Sequence, residues 1–141
     1  MTYANGQLPD NLRIPVLGST STLPVDAGVA LTLAVEAFTA ATGVSVGINQ
    51  GYRELGSPSD PWNLSPATQW SVRNAYLYHN GNLAAVPGTS NHGADGTRYS
   101  AADLYGPVAE FNTKARTQFT PIARRYGWIP NTVPTEPWHW Q

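Results

Sequence analysis

The sequence contains no cysteine, so no disulfide holds the fold together and no thiolate binds a metal; any metal site must be built from nitrogen and oxygen donors. Charge is also scarce. Asp, Glu, Lys and Arg make up 12% of the chain, the formal net charge is -1, and no basic cluster exceeds Arg124-Arg125, which excludes the electrostatic footprint of a nucleic-acid-binding surface. Long hydrophobic runs are missing too. The most apolar stretch, around Val29 to Ala41, is interrupted by Thr32, Glu36 and Thr39, and Met1-Thr2-Tyr3-Ala4-Asn5-Gly6 has neither a basic nor an apolar segment. Neither a membrane span nor a signal peptide is therefore expected.

What remains is 141 residues with 41% hydrophobic content, enough for one domain with a real core. Residues 1–24, rich in Pro, Gly, Ser and Thr, are expected to form an ordered arm packed on that domain. From Val25 to Thr42 apolar residues recur at Ala30, Leu33, Ala34, Ala37, Phe38 and Ala41, and Gly43 follows; this is the spacing of a core helix and its C-terminal stop. Val44, Val46 and Ile48 alternate with polar or small residues, the period of a half-buried strand that would deliver Tyr52 and Arg53. Gly56 to Asn63 reads as a loop, and Ser65-Pro66 opens a helix to Gly81 with His79 in its last turn, where a structural role is expected. Pro107 is expected to open a helix with Val108, Phe111, Ala115 and Phe119 on one stripe, with a restart at Thr120-Pro121.

The chain has only three histidines, His79, His92 and His139. Two fall in unusual surroundings: Pro87-Gly88-Thr89-Ser90-Asn91-His92, continuing to Asp103, and the terminal Glu136-Pro137-Trp138-His139-Trp140-Gln141. Two imidazoles, one carboxylate and a second carboxylate three residues before the last imidazole form the inventory of a catalytic zinc site with an open position. Such a site also needs a non-ligand base, and Glu136 suits it because Pro137 holds the preceding residue extended.

Pro-Gly-Thr-Ser-Asn-His, then Ala101-Ala102-Asp103-Leu104 and Glu136-Pro137-Trp138-His139, resemble the Ser-x-His, Ala-x-Asp and Glu-x-Trp-His signature of the VanY-like D-Ala-D-Ala carboxypeptidase and L-alanyl-D-glutamate endopeptidase family of zinc peptidoglycan peptidases. Gly51-Tyr52-Arg53 matches its Tyr-Arg element, and the resemblance runs from about Gly6 to the end. It implies zinc on His92, Asp103 and His139, Glu136 as general base, Arg53 as electrostatic stabiliser, and Ser90 and Tyr52 beside the substrate. The implied fold is α+β, a small antiparallel sheet carrying the zinc site and flanked by helices, of the Hedgehog and D,D-peptidase type.

One departure stands out: four extra residues lie between His92 and Asp103, and Tyr99 stands where the motif has glycine. The segment from Gly88 to Leu104 is expected to be a hairpin with a ligand on each arm and Asp95-Gly96 at its turn. An even number of extra residues, two on each arm, would leave Asp103 on the metal face and Asp95 at the tip. The substrate implied is the peptidoglycan stem peptide, cut as by an L-alanyl-D-glutamate endopeptidase of a phage endolysin that reaches the wall through a holin-made lesion. The alternatives are a D-Ala-D-Ala carboxypeptidase and a zinc-bearing wall-binding module without catalysis. A monomer without nucleic-acid or membrane partners is expected.

Overall fold

The computed structural model describes residues 3–4, 6–53, 91–93 and 100–141. The expected helix at 65–81, the loop at 56–63, His79, Ser90 and the Asp95-Gly96 turn lie outside them. The architecture is α+β. Two strands of the arm, β1 (Arg13–Pro15) and β2 (Thr22–Pro24), pair antiparallel with Ile14 opposite Leu23. Their connection is tight because Leu17 and Gly18 both adopt positive φ, 51° and 68°, the conformation that matches the twist of a short hairpin.

Helix α1 (Val25–Thr42) follows at once, and Gly43 ends it at φ 71°, its N–H donating to Thr39 O. By length and composition α1 could cross a membrane, but Gly28, Leu31, Ala34, Val35 and Phe38 are buried and the helix packs on β1, β2 and helix α2 (Lys114–Arg125). The buried face differs from the expected stripe: Leu31 and Val35 point inward while Leu33 is exposed. The helix is apolar on nearly every side, so periodicity alone did not choose its inner face. Gly28 is decisive, since a β-carbon there would meet Ile14 and Val16 at 2.8 to 2.9 Å.

The second sheet is β3 (Gly47–Gln50), β4 (Ala102–Tyr105) and β5 (His139–Trp140), antiparallel throughout with β4 in the centre. Trp140, Phe119 and Phe38 form the middle of the core, with Phe119 edge-on to both others at 5.0 and 5.2 Å, a geometry favoured by the ring quadrupoles. β3 begins at Gly47 rather than Val44.

Two expectations are corrected. Asp103 is not held by a local hairpin partner: both edges of β4 are occupied, by β3 and β5, and His92 sits on a 3₁₀ turn, Asn91–Gly93. The helix at Pro107 is only one turn, Pro107–Ala109. α2 begins at Lys114, where the Thr113 hydroxyl caps the Arg116 N–H at 3.1 Å, and runs unbroken through Pro121. Burial of Phe119 and Ala123, with Ile122 packed against the core, outweighs the hydrogen bond lost at Pro121.

Candidate metal centre

The pairing of β4 with β5 puts Asp103 opposite His139, and directly opposed residues share a sheet face. Asp103 Oδ1 lies 3.1 Å from His139 Nδ1 and 3.2 Å from His92 Nε2. All three donor atoms lie within 4.8 Å of one another. Tetrahedral zinc with ligand bonds of about 2.0 to 2.2 Å separates its ligands by roughly 3.3 to 3.6 Å, so the two edges that meet at Asp103 are already close to those of a bound set. The imidazole planes meet edge to face at 5.1 Å.

His92 is held in the right tautomer. Its Nδ1 lies 2.8 Å from the Gly51 carbonyl oxygen, which only accepts, so Nδ1 carries the proton and Nε2 turns its lone pair to the site. The His92 carbonyl in turn accepts the Arg53 N–H at 2.7 Å. His139 presents Nδ1 to the same point, and its buried Nε2 has no hydrogen-bond partner among the described residues. Burial would raise the Asp103 pKa, but the His139 and His92 rings beside it outweigh that effect and hold the carboxyl well below its usual range.

Glu136 Oε2 stands 3.8 Å from His139 Nδ1, farther than the triangle's own 3.1 and 3.2 Å edges. It therefore stands at the rim of the triangle and not within it. The Arg53 guanidinium donates to Gln50 Oε1, and Gln50 is paired with Asp103 across a bulge that re-registers β3 after Ile48. Tyr52, expected at the substrate, is buried instead. Its hydroxyl accepts the Leu8 N–H at 2.6 Å and its ring lies under Arg13, so the phenol ties the arm to the site. Gly6, bonded through its N–H to Gly93 O at 2.6 Å, does the same.

Sequence reasoning missed Gly51, Gln50 and Arg116. The first acts through a carbonyl, which leaves no mark in composition. The other two are polar residues that burial, not type, distinguishes.

No family model and no curated protein matches the chain. Its fold is that of zinc-dependent peptidoglycan peptidases of known structure. The chain is similar to a vancomycin-resistance D,D-pentapeptidase, VanY, from a VanB-type cassette in complex with Zn(II), with TM-score 0.58 and 19% identity over 99% of this chain and 85% of that one. It is similar also to the LD-carboxypeptidase LdcB, with TM-score 0.63 and 18% identity over 99% and 72%. VanYB in complex with D-alanine-D-alanine matches with TM-score 0.52 and 19% identity over 99% and 83%. At these identities the likeness establishes the shared fold.

Proposed function

We propose that the protein is a zinc-dependent peptidase of the peptidoglycan stem peptide. The observation that carries this is the His92, Asp103 and His139 cluster, whose ligand atoms all lie within 4.8 Å of one another, with the Glu136 carboxylate at its rim. A zinc ion held by these three residues would supply Lewis-acid polarisation of the scissile carbonyl and acidify the attacking water. Glu136 takes the water's proton at Oε2 and returns it to the leaving amine. Arg53, anchored by Gln50 and by the His92 carbonyl, offers a fixed cation to the developing oxyanion or to a substrate carboxylate. A purely structural zinc site has no use for Glu136, which favours catalysis over wall binding alone.

Two readings of the bond remain. The residue pattern favours an L-alanyl-D-glutamate endopeptidase working as a phage endolysin, made in the host cytoplasm and released to the wall through a holin-made lesion. The structural neighbours, an LD-carboxypeptidase and a D,D-pentapeptidase, favour a carboxypeptidase. Digestion of purified peptidoglycan by the zinc-loaded protein, with and without chelator, separates them by mass spectrometry. Free terminal D-alanine marks the carboxypeptidase, and a new amino terminus on D-glutamate marks the endopeptidase. No cleavage at full zinc occupancy refutes the enzymatic reading.

A further inference from the structure

Arg116 is a buried cation. It is 8% exposed, and among the described residues no acidic side chain pairs with it. It also sits in the first turn of α2, where the helix dipole disfavours positive charge, and burial lowers its pKa from the ordinary value. An arginine kept at such cost has a geometric task.

Its contacts define that task. Nη1 donates to the carbonyls of Val108, at 2.9 Å, and of Pro137, and Nη2 donates to Asn131 Oδ1 at 3.1 Å. The guanidinium plane also lies 5.1 Å from the ring centre of Trp140 and 5.5 Å from that of Phe111. One planar fork therefore ties α2 and the 107–109 turn to both ends of the 131–137 loop and to β5. Lysine, a single point charge, cannot reproduce this set.

The two functional side chains on this terminal stretch are held differently. His139 belongs to the ladder with β4, reinforced by the Leu104 N–H to Trp138 O bond at 2.9 Å. Glu136 lies before the strand; among the described residues its backbone bonds reach Val133 and His139. The next residue, Pro137, has no N–H of its own, and its carbonyl is taken by Arg116. We propose that Arg116 is a positioning residue that fixes the Glu136 carboxylate relative to the metal ligands, acting through the Pro137 carbonyl. This rests on the peptidase reading of the site.

The test compares Arg116→Lys with wild type in zinc affinity, thermal unfolding and steady-state hydrolysis of a stem peptide. Zinc affinity should stay within about threefold, because the ligands are held elsewhere, while kcat falls roughly 10- to 100-fold with KM little changed. In a Glu136→Gln background the same substitution should cost nothing further, since the group it positions is gone. Unchanged kcat, an equal loss in both backgrounds, or a loss of zinc matching the loss of activity overturns the proposal. If Arg116→Lys does not fold, Asn131→Gly serves instead: it suits the φ of 64° at that residue, removes one anchor, and should lower kcat by several-fold in the wild-type background alone. Wild-type protein that cleaves nothing at full zinc occupancy refutes the peptidase reading. Crystal structures then decide the positioning claim, which stands if Glu136 moves away from His139 in the variant and falls if it does not.

Discussion

Gly51→Ala is the sharpest single test of how the arm, the sheet and the metal centre are coupled. A β-carbon at Gly51 would fall on the Thr22 carbonyl oxygen, with Thr22 C at 3.1 Å and Leu23 Cδ2 at 3.3 Å. The main obstacle is backbone, not a side chain that could swing aside. Restoring ordinary contact requires a shift on the order of 1 Å between β2 and the Gly51 segment. That shift strains the Tyr52 N–H to Thr22 O bond, and overpacking of this kind costs about 1–3 kcal/mol, or roughly 3 to 10 °C in Tm for a domain of this size.

The same movement reaches the metal, because the Gly51 carbonyl accepts from His92 Nδ1 at 2.8 Å. Disturbing a hydrogen bond that orients a ligand lowers metal affinity roughly 10- to 100-fold. The assay is competition for zinc against a chromophoric chelator, paired with thermal unfolding of the metal-free protein. Gly47→Ala is the control: its β-carbon would meet the Tyr105 ring, which is 54% exposed and free to turn outward, so zinc affinity should be unchanged. Zinc binding by Gly51→Ala within threefold of wild type, or an equal loss in Gly47→Ala, would refute the coupling.

Three further outcomes follow from the centre itself. Glu136→Gln should keep stoichiometric zinc and lose about two to four orders of magnitude in kcat; hydrolysis within tenfold of wild type would remove the base assignment. Asp103→Ala and His139→Ala should each lose zinc on dialysis, measured as metal per protein, whereas Asp95→Ala should retain it; the reverse pattern for the two aspartates would displace Asp103 as ligand. In the metal-free protein the folded-state pKa of Asp103 is lowered, so its stabilising contribution is present above the unfolded value of about 3.9 and is lost as pH falls through the folded value. Unfolding midpoints of wild type and Asp103→Asn should therefore differ at pH 5 and converge in strong acid, and a gap that widens in acid would contradict the sign.

The limits of α1 were legible because Gly43 can take a positive φ and the apolar spacing persists up to it, but its inner face was not, because Val29, Leu31, Leu33 and Val35 are interchangeable by hydrophobicity. Gly28 carried the missing information: a residue without a β-carbon in a helix marks where another segment passes close. The sheet partners of Asp103 were missed for a different reason. Pattern and turn chemistry describe neighbours in sequence, whereas both partners of β4 come from far along the chain, β3 (Gly47–Gln50) well before it and β5 (His139–Trp140) well after it. Asp103 still joins His92 and His139 in one cluster, but because it is paired with His139, not because the extra residues divide evenly between two arms.

The site divides the same way. His92, Asp103 and His139, which the fold brings together with Glu136 nearby, could be picked out from the sequence because a zinc site draws on few residue types and the chain has few of them. The groups that orient those side chains are ordinary: the Gly51 carbonyl behind His92, the Pro137 carbonyl held by Arg116, and the Leu8 N–H on Tyr52. Every residue brings a carbonyl and nearly every one an N–H, so no residue type announces this use. What does leave a trace is the space such contacts demand. Gly51 must lack a side chain for the backbone to approach Thr22, and Arg116 must be arginine for one side chain to reach three acceptors. Substitution at these two positions therefore tests the support of the site without touching a single ligand.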